Sequence, residues 1–305
     1  MQPAIPYLRT GDRVAMAAPA RAVSPEEMAP AIGALQSWGL EVVVPDGLYE
    51  RQNQLAGSDG HRAALLQGLL DDPSIKAILC ARGGYGTVRI VDRLDFTRFA
   101  AAPKWIVGYS DATVLHSHVQ AALGLPTLHA TMPINFPADG SPCPATESLR
   151  RALFGEPQDI VWEHHPLDRK GTAEGVVVGG NLSILYSLLG SHSQIDTRGK
   201  ILLLEDLDEY LYHIDRMMQA LRRAGLLDGL AGLVAGGLTD MHDNAIPWGH
   251  TAEEAVLEAV ADKDYPVAFG APIGHLGHQN LALPLGLHAK LDVGTTTKHL
   301  SNTAQ

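Results

Sequence analysis

Short apolar runs alternate with segments of helical apolar spacing along the first half of the chain. The runs predict strands at residues 13–18, 41–44, 75–80, 104–107 and 127–131, and the helical spacing predicts helices at 25–38, 61–70, 87–94, 112–123 and 145–154. This alternation favours an α/β fold, with a parallel sheet covered by helices on both faces. The ligand site of such a sheet lies beyond the carboxyl ends of its strands.

The pattern changes after residue 156. Residues 157–170 are polar and lack strong periodicity, so we predict that they link two units. Beyond them we predict strands at 175–181, 199–204 and 230–235, helices at 182–189, 212–224 and 251–261, and then loop and short strand. We therefore predict an N-terminal domain over residues 1–160 and a smaller C-terminal domain over 161–305.

Charge and cysteine content narrow the class of protein. The 305 residues carry a formal net charge of −11 with no basic cluster, which argues against nucleic acid as a partner. Two cysteines are too few for a disulfide framework and favour a reducing compartment. We see neither a signal-peptide pattern nor an apolar run long enough to span a bilayer, so we expect a cytoplasmic protein without membrane contact.

Ser110 occupies the turn between a predicted strand and a predicted helix, in the sequence Gly108-Tyr109-Ser110-Asp111. Backbone N–H groups at the start of a helix lack partners within it, so a serine placed there stands beside an anion site. This geometry suits a nucleophile with an oxyanion hole. Ser and Asp are also common N-caps, and Ala112 stands where the general nucleophile-elbow pattern has glycine. The serine alone therefore decides nothing.

A serine nucleophile needs a base and a carboxylate that orients it. Glu205 follows an apolar predicted strand, and His275 lies in a glycine-rich loop with His278 as its rival. Zinc is disfavoured because neither a His-Glu-x-x-His motif nor a paired-cysteine motif occurs. The glycine loop at residues 82–86 lacks the remainder of a phosphate-binding motif.

Five motifs together resemble the LD-carboxypeptidases, the serine peptidases of murein recycling, which are grouped with the microcin C immunity peptidases. The motifs are RGGYG (82–86), GYSD (108–111), GGNLSIL (179–185), LLLEDLDEYLYHIDRM (202–217), and PIGH (272–275) followed by LPLG (283–286). They occur in order over nearly the whole chain. The loop after His275 departs from the family pattern, because four residues separate the histidine from Asn280.

The resemblance implies a flavodoxin-like or amidotransferase-like N-terminal domain followed by a swivelling β/β/α domain. It also implies that Ser110 is the nucleophile, Glu205 the triad acid and His275 the base. The backbone amides of Asp111 and of a glycine in the loop at 82–86, for which we take Gly84, would form the oxyanion hole. His278 stays an alternative base.

The activity implied is removal of the terminal D-alanine from a murein tetrapeptide through an acyl-enzyme, by a homodimer that needs no cofactor. Holding the terminal carboxylate in an acidic protein calls for a placed arginine or a set of amides, and Arg82, beside the glycine loop, is our candidate. Tyr109 and Asn181 are further candidates for substrate contact. An immunity peptidase that cuts an aminoacyl-nucleotide toxin is one alternative, with Trp162, Trp248 or Tyr210 as stacking residues. A binding protein without catalysis is the other.

Overall fold

A parallel sheet organises the N-terminal half of the computed structural model, which describes residues 5–302. Its strand order is β11-β5-β4-β3-β1-β2, where β11 (Leu283–Leu285) comes from near the end of the chain. The five parallel strands are β1 (Arg13–Ala17), β2 (Glu41–Val43), β3 (Ile75–Cys80), β4 (Trp105–Gly108) and β5 (Thr127–His129). The helices of this half are α1 (Pro25–Ser37), α2 (Asp59–Asp71), α3 (Thr97–Ala101), α4 (Thr113–Leu123) and α5 (Pro144–Leu153).

Apolar side chains cover both faces of this sheet. Successive residues of a strand point to opposite faces, and Leu79 and Cys80 of β3 accordingly belong to different apolar clusters. Parallel strands buried on both sides read as continuous apolar runs, which is why they were visible in the sequence. The prediction of an α/β fold with a parallel N-terminal sheet is confirmed.

A seven-stranded sheet forms the second half, in the order β10-β9-β8-β7-β12-β13-β6. The strands β7 to β10 are parallel, whereas β12, β13 and β6 continue the sheet in antiparallel pairs. Its strands are β6 (Asp159–Glu163), β7 (Gly171–Asn181), β8 (Ile201–Leu207), β9 (Gly232–Thr239), β10 (Val267–Ala268), β12 (His288–Val293) and β13 (Thr297–Asn302). The helices of this half are α6 (Leu182–Ser187), α7 (Leu211–Arg223) and α8 (Ala252–Ala259). None of the helices in residues 5–302 combines the length and apolarity needed to cross a membrane.

The chain returns to the first sheet near its end. Strand β11 (Leu283–Leu285) pairs in antiparallel fashion with β5, and Leu283 lies opposite His129. A second link joins α4 to β7, where the backbone N–H of Asn181 donates to Thr113 Oγ1 at 3.1 Å. The carboxyl end of the first sheet therefore faces residues from the second.

Three predictions of local structure are wrong. Residues predicted as a helix at 87–94 form two short 3₁₀ turns, and the Asp111 carboxylate accepts hydrogen bonds from the N–H and hydroxyl of Thr87 at the start of this segment. The predicted linker contains β6, whose alternating burial is carried by Ile160 and Trp162. Glu205 lies within β8 and not after its end.

Candidate active site

Ser110 lies on a sharp turn between β4 and α4, in left-handed backbone conformation with φ of 60°. Such backbone is strained for a residue with a Cβ, and the strain is typical of nucleophile elbows. Gly108 allows the turn, because a Cβ there would lie 2.9 Å from the Cβ of Ala112. The glycine that the elbow needs therefore stands before the serine, while Ala112 is accommodated after it.

Glu205 and His275 form a hydrogen-bonded pair, with Glu205 Oε2 2.6 Å from His275 Nδ1. Glu205 projects from β8 and is fully buried, whereas the side chain of His275 keeps 13% of its surface exposed. Gly274 makes this approach possible, because a Cβ at that position would lie 2.6 Å from Glu205 Oε2. Within the pair, Glu205 is therefore enclosed by protein, whereas His275 is partly open to solvent.

The charge of Glu205 sets the protonation behaviour of the pair. Burial alone raises the pKa of a carboxyl group, but the hydrogen bond with His275 and the nearby ring of His129 outweigh it and lower the pKa of Glu205 to about 2. Burial likewise acts to lower the pKa of His275, and its bond to Glu205 reverses this and raises the pKa above 6.5. An imidazole held on a carboxylate in this way is suited to accept a proton through its other nitrogen.

Tyr109 brings the serine turn and the histidine together. Its ring centroid lies 4.8 Å from that of His275, and its hydroxyl is 3.3 Å from Asn135 Oδ1. Ser110 is the next residue along the chain, although no hydrogen bond joins its Oγ to His275 anywhere in the described structure. Triad hydrogen bonds of unliganded enzymes are often long and tighten with substrate. His278 is exposed and makes no contact with Glu205.

Two backbone amides near Ser110 are free to bind an anion. Across residues 5–302, neither the N–H of Asp111 nor that of Gly84 donates to a protein acceptor. The Asp111 carboxylate points away, towards Thr87, whose N–H is 2.9 Å from Oδ2. Gly83 approaches the serine most closely, since a Cβ there would lie 3.0 Å from Ser110 Oγ. The Gly84 amide directly follows this contact along the chain.

The remaining sequence candidates are engaged in protein contacts. Arg82 Nη1 lies 3.5 Å from Glu27 Oε1, and both side chains are about one-third exposed. Asn181 is buried, where its Oδ1 accepts the N–H of Ile184 and caps α6 while its Nδ2 donates to Asp206 at 2.9 Å. Tyr109 is buried against His275, as described above.

Two residues near the site were missed in the sequence. His129, at the end of β5, is fully buried with its Nε2 3.9 Å from Glu205 Oε1. The side chain of Arg21, which follows β1, lies against the backbone of Gly84. Both stand at or beyond the carboxyl end of a parallel strand, and that position was the available signal. Within the described ranges no group of three or more His, Cys, Asp or Glu is arranged to hold a metal ion.

Fold and site together define an α/β protein with a strained serine turn beside a buried glutamate–histidine pair, a combination that serine hydrolases use. Residues 14–130 match the family model of the LD-carboxypeptidase N-terminal domain, and residues 174–291 match that of the LD-carboxypeptidase C-terminal domain. The chain belongs to the LD-carboxypeptidase family, which is a family of peptidases.

Similar proteins carry two kinds of name, murein peptide carboxypeptidase and microcin self-immunity protein. The "Probable murein peptide carboxypeptidase" of Bacillus subtilis is 36% identical over 95% of this chain and 92% of its own. The crystal structure of a muramoyltetrapeptide carboxypeptidase from Oxalobacter formigenes has a TM-score of 0.87 and 26% identity, covering 96% of this chain and 99% of that one. A microcin C7 self-immunity protein of Escherichia coli is 27% identical over 82% of this chain and 80% of its own.

Proposed function

We propose that this protein is an LD-carboxypeptidase that removes the terminal D-alanine from murein tetrapeptides with Ser110, His275 and Glu205 as its triad. The observation that carries the proposal is the 2.6 Å contact between His275 and buried Glu205, beside a serine in left-handed backbone. The murein substrate is supported by the names of the relatives. On the family resemblance we also propose a homodimer. The cytoplasmic location and the division between residues 160 and 161 stay proposals that rest on the sequence alone.

The chemistry follows from the arrangement of these groups. Ser110 Oγ attacks the carbonyl carbon of the penultimate residue while His275 Nε2 takes its proton. Glu205 accepts the His275 Nδ1–H and stabilises the imidazolium. The oxyanion accepts hydrogen bonds from the N–H groups of Asp111 and Gly84, each worth about 100- to 1,000-fold in turnover. His275 then protonates the departing D-alanine amine, and water releases the acyl-enzyme.

Release of D-alanine from a murein tetrapeptide tests the proposal. We expect Ser110→Ala, His275→Ala and Glu205→Ala each to lower kcat by about 10,000-fold or more. His278→Ala is the matched control, because His278 lies three residues from His275 but is exposed. A wild type that releases no D-alanine contradicts the murein assignment, and an inactive His278→Ala contradicts the choice of base.

The relationship to the microcin C7 self-immunity protein supports a second candidate, cleavage of an aminoacyl-nucleotide. Of the aromatic residues considered for stacking, Trp162 is buried with its Nε1 donating to the Phe269 carbonyl, whereas Trp248 and Tyr210 are exposed. Protection of a toxin-sensitive strain by expression of this chain would favour the second candidate. A binding protein without catalysis would fail to react with a fluorophosphonate at Ser110.

A further inference from the structure

We propose that Arg21 binds the terminal carboxylate of the substrate, an inference that rests on the proposed carboxypeptidase function. A carboxypeptidase must hold an anion beside the bond it cuts, and the net charge of −11 makes the protein as a whole repel one. A local cation is therefore needed.

The arginines around the glycine loop differ in whether they are already paired. Arg62 and Arg89 both bind Asp59, and Arg82 is paired with Glu27. Arg21 is exposed and makes no ion pair or side-chain hydrogen bond with any residue from 5 to 302. It is thus the member of this group whose guanidinium is available to a ligand.

The position of Arg21 fits the position of the leaving residue. A Cβ on Gly84 would lie 2.5 Å from Arg21 Cδ and 2.6 Å from Nε, so the arginine side chain crosses the loop directly over this glycine. The preceding residue, Gly83, faces Ser110 Oγ. One glycine therefore borders the serine and the next borders the arginine. In the substrate, likewise, the scissile carbonyl and the terminal carboxylate lie about one residue apart.

Paired substrates that end in D-alanine or in D-alanine amide test this role. We expect the wild type to prefer the acid, and Arg21→Gln to lose about 10- to 100-fold in kcat/KM on the acid, mainly through KM, with little change on the amide. Arg82→Gln is the matched control and should keep the preference of the wild type. Because Arg21 is exposed, its replacement should leave thermal unfolding unaltered.

Each outcome has a separate meaning. An active Arg21→Gln variant that keeps the preference for the acid overturns the inference. Loss of that preference in Arg82→Gln also overturns it and would assign carboxylate binding to Arg82. A wild type that cleaves neither substrate contradicts the proposed function itself.

A different observation carries a second proposal, that His129 is a positioning residue for Glu205. Glu205 Oε1 and both ring nitrogens of His129 are buried without a hydrogen-bond partner, and His129 Nε2 lies 3.9 Å from Oε1. Buried polar atoms without partners are costly, so a small closure that joins this facing pair is favoured. Glu205 would then be held by an imidazole at each oxygen, with Oε2 fixed towards His275.

Besides Glu205, two aromatic rings face His129. The ring of Tyr109 has its centroid 5.9 Å away, and that of His116 lies at 6.4 Å. His116 is itself bonded to the Gly108 carbonyl, and burial lowers its pKa to about 3, so it stays neutral. A hydrogen-bond donor at Glu205 Oε1 withdraws charge from the carboxylate. Removal of this donor should strengthen the interaction of Glu205 with protonated His275 and so raise the pKa of His275.

The rate at which a fluorophosphonate labels Ser110, followed against pH, tests this role without the natural substrate. We expect His129→Leu to be labelled about tenfold more slowly and the acid limb of its rate–pH curve to move to higher pH. His129→Gln keeps a hydrogen-bond donor and should restore both the rate and the position of the limb. In a Glu205→Gln background His129→Leu should add nothing. His116→Leu is the matched control and should leave the acid limb in place.

Additive effects in the double variant, or an unmoved acid limb in His129→Leu, overturn the second proposal. If His129→Leu does not fold, the ring nitrogen resonances of His129 in the wild type and in Glu205→Gln decide instead. Unchanged resonances contradict the contact, whereas a shift at Nε2 supports it. A wild type that does not label at all contradicts Ser110 as the nucleophile and with it the proposed function.

Discussion

His275 Nδ1 lies 2.6 Å from Glu205 Oε2 although 70 positions separate the two residues along the chain. The contact couples the ionisation of both groups, because each favours the charged form of the other. Since a general base must be neutral, we expect the acid limb of kcat/KM to lie above pH 6.5, the ordinary value for His275. Glu205→Gln should move that limb to lower pH. A limb at or below pH 6.5 in the wild type would contradict the pairing.

Gly274 is expected to tolerate no side chain, because a Cβ there would lie 2.6 Å from the carboxylate that holds His275. Gly270→Ala is the matched control, since Gly270 also has positive φ, of 70°, but has nothing within 4 Å of the added Cβ. Both substitutions carry backbone strain of about 1 kcal/mol. We expect Gly274→Ala alone to lose most of its activity, as measured by D-alanine release. Equal activities of the two variants would mean that Glu205 moves aside freely.

Asp206 should make stability decrease as the pH rises. Burial, and then the charge of Glu205, raise the pKa of Asp206 from 3.8 to about 7. The folded state therefore binds a proton that the unfolded state releases, so this stabilising contribution is complete below about pH 4 and is lost as the pH rises through about 7. We expect the Tm of Asp206→Asn, relative to that of the wild type, to increase over this range. Asp264→Asn, which also removes one carboxylate but from an exposed position, is the matched control.

Ser110 is expected to reverse the usual order of glycine and alanine in stability. Its φ of 60° strains any residue with a Cβ, whereas glycine adopts this conformation freely. We expect Ser110→Gly to be more stable than Ser110→Ala by about 1 kcal/mol in chemical denaturation, although neither variant is active. A more stable alanine variant would show that the elbow relaxes when the hydroxyl is removed.

The sequence predicted the elements that obey one simple periodicity. Residues 75–80 and 104–107 are buried on both faces and stand out as apolar runs, and the structure places strands there. The strand at Asp159–Glu163 was missed because only two of its side chains are buried. It lies at the edge of the sheet, and its partner strand, β13, is distant in sequence. Local patterning carries little information about such an edge.

The candidate site divides in the same way. Ser110 and Glu205 follow or end apolar runs, so their positions were visible, while the selection of His275 over His278 rested on the family resemblance. The structure distinguishes the two histidines, because His275 contacts Glu205 whereas His278 is exposed. The roles proposed for His129 and Arg21 rest on their proximity to Glu205 and Gly84, which only the folded chain creates.

The pairing of β11 with β5 has a consequence for synthesis on the ribosome. The serine turn and β5 leave the ribosome first, and β5 then forms an open sheet edge that can pair with other chains. His275 and β11 follow about 150 residues later, and the strand that covers the edge arrives with the loop that completes the site. A nascent chain therefore carries Ser110 for much of its synthesis without the histidine that we propose as its base. We therefore expect β5 to be covered by β11 and the protein to become able to hydrolyse its substrate at the same late stage of synthesis.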